Sequence, residues 1–325
     1  MLIFLSSRCI DICQLTTNLI GVNILEKKEK EGIIFTIITI FLAGSLPIVA
    51  KYGVGIINPL FFATSCSLVA GICLFIVTLI KGNWKILFFK KYLFYFFIIG
   101  FFGITISNIL FFYGVTLTSG INSAILLQIE PIYSLFIGYI FLNERITLKQ
   151  IVYTLVIILG TLTVLYKGKF IVNWGDYLVL FTPLCWQITH LQSKKLMAKD
   201  KSISPLIIAT VRTLYGGVLL FIVNYILGVN QFNRLNDTKI LFIIFFQGIA
   251  GFALQYSVWY EAIKRINLSK ATALVCIYPV FSIILAWFTL KEIPVINQVI
   301  GLGIIMLGIF GLSGIKSEQR KKIIL

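Results

Sequence analysis

The chain has 325 residues, 59% of them hydrophobic and only 12% charged, with a mean hydropathy of +0.99 and a formal net charge of +16. A soluble fold of this length cannot hide so much apolar surface, so much of it must face lipid, which excludes an ordinary water-soluble domain. The basic excess would suggest nucleic acid in a soluble protein. Here Lys and Arg sit in short loops between apolar runs, so membrane topology accounts for them and no nucleic-acid partner is expected.

Residues 1–31 are moderately apolar but interrupted by Arg8, Asp11, Gln14 and Asn18. Without an uninterrupted core or a small-residue cleavage site they read as a cytoplasmic or interfacial segment, not a signal peptide. The charged stretch Glu26 to Glu31 marks the start of the membrane region. Ten apolar runs follow, roughly 33–50, 58–80, 92–113, 120–142, 147–166, 175–193, 204–228, 239–262, 268–290 and 294–315. Their lengths suit a hydrocarbon core of about 30 Å. Pro59, Pro205 and Pro294 fall near helix starts, where a missing N–H costs nothing. Pro47, Pro131, Pro183 and Pro279 fall inside spans and should kink or break them. A basic tail, 316–325, closes the chain.

The apolar region is written twice. Pro59 to Val77 reappears at Pro205 to Val223, an offset of 146, with ten of nineteen positions identical. At offset 148, Pro131, Ser134, Leu142, Glu144, Gln150, Leu159 and Gly160 match Pro279, Ser282, Leu290, Glu292, Gln298, Leu307 and Gly308. Such duplication points to a transporter built from two related halves, 32–166 and 175–315. One set of loops and tails carries 21 Lys and Arg, the opposite set 6, and Arg212 lies inside a span. The positive-inside rule then puts both termini in the cytoplasm. Five spans per half is an odd number, so the second copy runs in the opposite sense. The expected fold is an all-α integral membrane protein of ten transmembrane helices, arranged as two inverted five-helix repeats.

Two copies of a Pro-containing helix ending in Glu, IEPIYSLFIGYIFLNERITLKQ and IYPVFSIILAWFTLKEIPVINQ, are each followed by an apolar helix with Gly160 or Gly308. Pro205 is followed seven residues later by Arg212, whereas the first copy has Cys66 at the matching place. In these features the chain resembles the EamA-type ten-helix members of the drug/metabolite transporter superfamily, over residues 32–315. The resemblance implies a secondary transporter, most often an exporter, in the cell membrane. It also implies a central cavity lined mainly by the first, third and fourth helices of each half, and it leaves room for a homodimer. Relatives move amino acids, drugs, nucleotide derivatives and other metabolites, so the substrate class stays open, as does an uptake or exchange direction.

Ionisable groups within the membrane are costly and are functional candidates. Eleven of the twelve acidic residues map to loops, tails or helix ends; Glu130 alone lies mid-span, immediately before Pro131. Apolar surroundings favour its neutral form, and it suits a proton or a cationic group. The competing reading is a protonated Glu satisfied by a neighbouring amide. Tyr278 stands at the matching place, so coupling there would be asymmetric. Arg212 lies about 12 Å into the seventh span at 1.5 Å per residue. It keeps its charge and needs a partner, a polar cavity or a snorkelling route; it reads first as a gating or structural charge, with binding of an anionic substrate group or pairing with Glu130 as the alternatives. The paired amides Asn108 and Gln255, followed by Tyr113 and Tyr260, suit a site between halves or a polar helix contact. Ser45, Gln128, Trp186, Gln187 and Gln247 are further cavity candidates. His190, close to Lys194 and Lys195, reads as interfacial.

The six cysteines read as small packing residues, and one histidine cannot build a His-based metal cluster, so no metal or cofactor is expected. An integral-membrane lipid-modifying enzyme would need clustered carboxylates or a His–Asp pair. The chain is therefore read as a carrier of a small solute and not as an enzyme.

Overall fold

The computed structural model describes residues 2–141, 144–166, 173–266, 268–313 and 318–319, and these are almost entirely helical. In chain order the helices are α1 (Leu2–Val54), α2 (Pro59–Ile80), α3 (Lys90–Leu117), α4 (Gly120–Phe141) and α5 (Leu148–Leu165). The second half has α6 (Trp174–Lys199), α7 (Pro205–Ile226), α8 (Thr238–Arg265), α9 (Leu268–Val275), α10 (Tyr278–Thr289) and α11 (Ile296–Ser313). Seven helices are long and apolar enough to cross a membrane: α1 from Lys28, α2, α3, α4, α5, α7 and α8. Of the remainder, α10 and α11 are shorter apolar helices. A two-residue strand, Glu144–Arg145, pairs antiparallel with Glu318–Gln319 beyond α11.

Local chemistry sets the helix ends in matching pairs. Asn58 caps α2 by accepting from the Leu60 and Phe61 N–H groups, and Ser204 caps α7 by accepting from Ile207 N–H. Each cap is followed by a proline at the first helical position, where its fixed φ is already helical. Gln150 Oε1 accepts from Thr147 N–H at the start of α5 (2.8 Å), and Gln298 Oε1 accepts from Val295 N–H before α11 (3.0 Å). These are glutamines matched by the repeat.

The charged stretch Glu26 to Glu31 lies within α1, which runs from Leu2 to Val54, because Glu and Lys are strong helix formers. One expectation about the prolines of α1 and α6 is corrected. Pro47 and Pro183 do not break their helices, which continue on both sides. Each proline removes a single ladder bond, which a long packed helix tolerates. Breaks occur instead at a 3-10 turn, Leu127–Ile129, before Glu130–Pro131, and at Cys276–Ile277 before Pro279.

The halves meet in reciprocal crossings. A β-carbon at Gly71 of α2 would lie 2.8 Å from Leu214 Cα of α7, and one at Gly217 of α7 would lie 3.2 Å from the Ser67 carbonyl group of α2. Gly160 of α5 faces the Gly301 carbonyl oxygen of α11 at 2.8 Å, while Gly308 of α11 faces the Tyr153 carbonyl oxygen of α5 at 3.0 Å. Each contact is the mate of its partner under the sequence repeat. Small residues let membrane helices approach backbone to backbone, and packing rather than hydrophobicity then holds them. The repeat also duplicates two π-helical stretches, Phe101–Ile106 in α3 and Gln247–Leu254 in α8, whose first residues are separated by the 146-residue offset.

Polar ties close the ends of the bundle. At one end Lys51 Nζ donates to the carbonyls of Thr118 (2.7 Å) and Val115 (3.0 Å), and Glu292 accepts from the Gly120 and Ile121 N–H groups at 3.1 and 3.0 Å. Buried Asp176 accepts from Thr118 Oγ1 (2.7 Å) and Asn122 Nδ2 (3.2 Å) beside them. Elsewhere Lys194 Nζ donates at 2.9 Å to the carbonyl of Ile266, the residue that matches Thr118 in the repeat.

On the surface, Asp200 ends α6 and accepts from the Tyr92 hydroxyl, from Ser202 Oγ (2.7 Å) and N–H (3.0 Å), and from Lys91 Nζ (3.4 Å). The Tyr92 hydroxyl foremost, then Ser202 and Lys91, holds the carboxyl well below the usual carboxylate range. A depressed carboxylate stabilises the fold above its unfolded value and loses that contribution as pH falls towards its folded value. The stability gap between wild type and Asp200→Asn, read as thermal midpoints in detergent, should be constant from neutral pH downwards and shrink only below about pH 4. A gap that changes between neutral pH and pH 5 would refute this.

Candidate functional site

A small cavity of about 40 Å3 lies where both halves converge, room for one or two water-sized groups. Its walls are Thr39, Ala43 and Leu46 of α1, Glu130 of α4, Trp186 and His190 of α6, and Arg212 of α7. Gln255, Tyr256 and Trp259 of α8, Val275 of α9 and Tyr278 of α10 complete it.

The acid and the base of this cavity are each positioned by a helix irregularity. Glu130 opens the helical stretch that follows the 3-10 turn of α4, with Pro131 unable to donate backward across it. Its Oε1 accepts from Gln187 Nε2 at 2.6 Å and lies 3.9 Å from His190 Nε2. Arg212, 1% exposed, reaches into the π-helical stretch of α3. There Nε donates to the Gly103 carbonyl at 3.1 Å, while Nη1 donates to Tyr260 Oη at 3.1 Å and the guanidinium lies 4.1 Å from the centre of the Tyr256 ring. A β-carbon at Gly103 would sit 3.2 Å from Arg212 Cγ and Nε and 2.9 Å from Thr189 Cγ2, so glycine is what admits the side chain. The stack on Tyr256 and the fork geometry are favourable modes for a desolvated guanidinium.

His190 lies inside the bundle, and its hydrogen bonding is satisfied there. It is 5% exposed, and its Nδ1 accepts from Trp259 Nε1 at 3.2 Å. Indole N–H only donates, so this bond assigns Nδ1 as the acceptor and leaves the proton on Nε2, towards Glu130. The lysines nearby had suggested a polar boundary, but α6 continues to Lys199 and carries His190 inside.

The other candidates separate. Gln255, Trp186 and Tyr278 line the cavity, and Tyr260 holds Arg212. Asn108 does not reach it; its Nδ2 donates to Ser67 Oγ of α2 at 3.2 Å. Gln128 is turned back onto the Ala124 carbonyl at 3.2 Å, Gln247 packs against Gly251, and Tyr113 packs against the surrounding apolar core. Ser45 faces a second, largely apolar crevice of about 590 Å3 between α1, α8 and α10, with Ile48, Tyr52, Lys239, Phe242 and Leu285. The expected lining also changes: α3 supplies no wall residue, only the Gly103 carbonyl, while α7 contributes Arg212. Tyr256 and Trp259 were not singled out by sequence reading, although with Tyr260 they follow i, i+3, i+4 spacing on α8.

An apolar helical bundle that buries a carboxyl and a guanidinium in one cavity between its halves belongs to the class of multi-pass membrane carriers. The model of the EamA-like transporter family matches residues 30–166 and 173–314, and the chain belongs to that family, within the drug/metabolite transporter superfamily. It is 27% identical over 279 residues to the uncharacterized transporter YyaM of Bacillus subtilis (strain 168), covering 82% of this chain and 88% of that one. An uncharacterized transporter of Archaeoglobus fulgidus is 27% identical over 266 residues, covering 80% and 90%. One solved crystal structure superposes with a TM-score of 0.66 at 15% identity, covering 87% of this chain and 96% of that one, which establishes a shared fold. The protein is a multi-pass membrane protein that acts in transport.

Proposed function

We propose that the protein is a secondary transporter of the plasma membrane that moves a small metabolite, amino acid or drug-like solute by alternating access, as an exporter. Ten spans make up its two halves, 32–166 and 175–315: α1 to α8, the pair α9–α10, and α11. Both termini are cytoplasmic and the halves are inverted. The loop charges support that orientation, and the reciprocal crossings of α2 with α7 and of α5 with α11 support the two-fold relation. In this orientation the Lys51–Thr118 and Glu292–Gly120 ties lie at the outer end, and the Lys194–Ile266 tie at the inner end.

The observation that carries the reading is the buried Glu130, 6% exposed, in a cavity walled by both halves. A carboxyl there gains or loses a proton as the cavity is opened to either side, which couples solute movement to a pH gradient. The test is transport by protein reconstituted into liposomes, with solutes first selected by thermal-shift screening of amino acids, nucleotides and organic ions. Glu130→Gln should abolish the dependence of transport on the imposed pH gradient. Unchanged gradient dependence would remove Glu130 from coupling and favour exchange without a proton.

A further inference from the structure

Arg212 is a buried cation that makes no direct ion pair among the described residues, with Glu130 the carboxylate that shares its cavity. Its two hydrogen bonds go to neutral acceptors, the Gly103 carbonyl and the Tyr260 hydroxyl. Among the described residues no carboxylate lies within ion-pair distance of it, and beyond these two bonds the guanidinium meets the Tyr256 ring. Guanidinium does not deprotonate in a protein, so this charge is permanent and its burial is costly without a counter-charge. Two further polar atoms of the cavity walls are buried without a partner: Trp186 Nε1, a donor, and Gln255 Oε1, an acceptor. The rest of the wall is aromatic, from Tyr256, Trp259 and Tyr278.

We propose that the cavity binds a small organic monoanion, a carboxylate on a planar or apolar body held by the Arg212 fork, and that it binds together with a proton on Glu130. This rests on the transport reading above and names the solute class for the same cavity.

The proton follows from charge. Gln187 and His190 of α6 face Glu130, and His190 is held neutral by the Trp259 N–H that occupies its Nδ1. From α7 comes Arg212; from α10 comes the Tyr278 hydroxyl, with Cys276 just before it; from α8 come the hydroxyls of Tyr256 and Tyr260 near Arg212. Lys194, one turn along α6 from His190, is engaged by the Ile266 carbonyl. Glu130 is thus the one carboxylate beside a single fixed cation. With Glu130 ionised the cavity is neutral overall, and a monoanion would bring a second negative charge into a water-poor space. With Glu130 protonated the cavity carries +1, and the same anion neutralises it. The anion takes over as counter-charge to Arg212, and anion binding is linked to uptake of one proton. In this form the cavity has room for the carboxylate end only, so the body of the solute requires one side to open.

The test uses purified full-length protein and three ligands sharing one ring: benzoate, benzyl alcohol and benzylamine. Trp186 and Trp259 line the cavity and report binding by fluorescence. Benzoate should bind about tenfold or more tighter than either analogue, and weaken about tenfold per pH unit where Glu130 is ionised. Arg212→Gln should weaken benzoate about 30-fold or more. Arg212→Lys, which keeps the charge without the fork, should fall between and guards against a folding defect. Glu130→Gln should bind benzoate with no pH dependence. Preference for benzylamine, equal binding of benzyl alcohol, an unchanged Arg212→Gln, or no benzoate binding up to about 10 mM would each overturn the proposal. Proteoliposome flux is scored separately. Benzoate binding without flux of any solute would sink the transport reading and leave the anion site standing, and flux without benzoate binding would do the reverse.

Discussion

Glu292→Ala should open the end of the bundle that Lys51 and Asp176 also tie. The carboxylate comes from the link between α10 and α11, in the second half, and accepts from the first two N–H groups of α4, in the first half, at 3.1 and 3.0 Å. Those N–H groups belong to a helix N-terminus and have no partner within their own helix, so an ionised carboxylate satisfies both and complements the helix dipole. Each charge-assisted bond contributes about 1.5–3 kcal/mol, so loss of both is enough to shift a closed-to-open ratio about a hundredfold or more. The Lys51 and Asp176 ties and the Gln298–Asn122 bond (3.1 Å) would remain, but none of them satisfies the first two N–H groups of α4. Spin labels at Leu117 and Ile293, both exposed, should show a new long-distance population in the variant. A distance distribution identical to that of wild type would mean that Glu292 is only a helix cap.

The features legible in sequence were those that the repeat wrote twice. Pro59 and Pro205, Gln150 and Gln298, and Gly160 and Gly308 occupy corresponding places because both halves need the same caps and the same close crossing. Glu130 was legible for a different reason: a lone acid in mid-span has few structural explanations. Side-chain direction was not legible. A π-helical turn inserts a residue, which rotates the downstream side chains by about 100°, the angle per residue of an α-helix. The two π stretches differ in length, so Asn108 meets Ser67 while Gln255 reaches the cavity, although the sequence pairs them. Tyr256 and Trp259 had helical spacing as their only signal, and any packed aromatic face shows the same spacing. His190 was assigned from its neighbours in sequence. Its neighbours in space, Trp259 and Glu130, come from α8 and α4.

Leucine at Gly71 should be strongly destabilising, and its effect should reach the cavity. The β-carbon would stand 2.8 Å from Leu214 Cα and 3.0 Å from Leu214 N, against backbone atoms of α7 that have no rotamer to change. The α2–α7 crossing must therefore widen, at a cost of about 3 kcal/mol or more once packing along both helices is lost. Gly217, the repeat mate, is looser, with its nearest contacts at 3.2 Å, so leucine there should cost less, about 1–3 kcal/mol. Gly303 on α11 meets nothing within 4 Å, and leucine there should be neutral within about 0.5 kcal/mol. The ordering Gly71 worst, Gly217 intermediate and Gly303 neutral is read from thermal unfolding of the three purified variants. Equal midpoints for Gly71→Leu and Gly303→Leu would contradict the crossing. Arg212 sits two residues before Leu214 on α7, and its hold on the Gly103 carbonyl depends on where that helix lies. Any Gly71→Leu protein that still folds should therefore also lose benzoate binding, whereas Gly303→Leu should keep it, because α11 contributes no wall to the cavity.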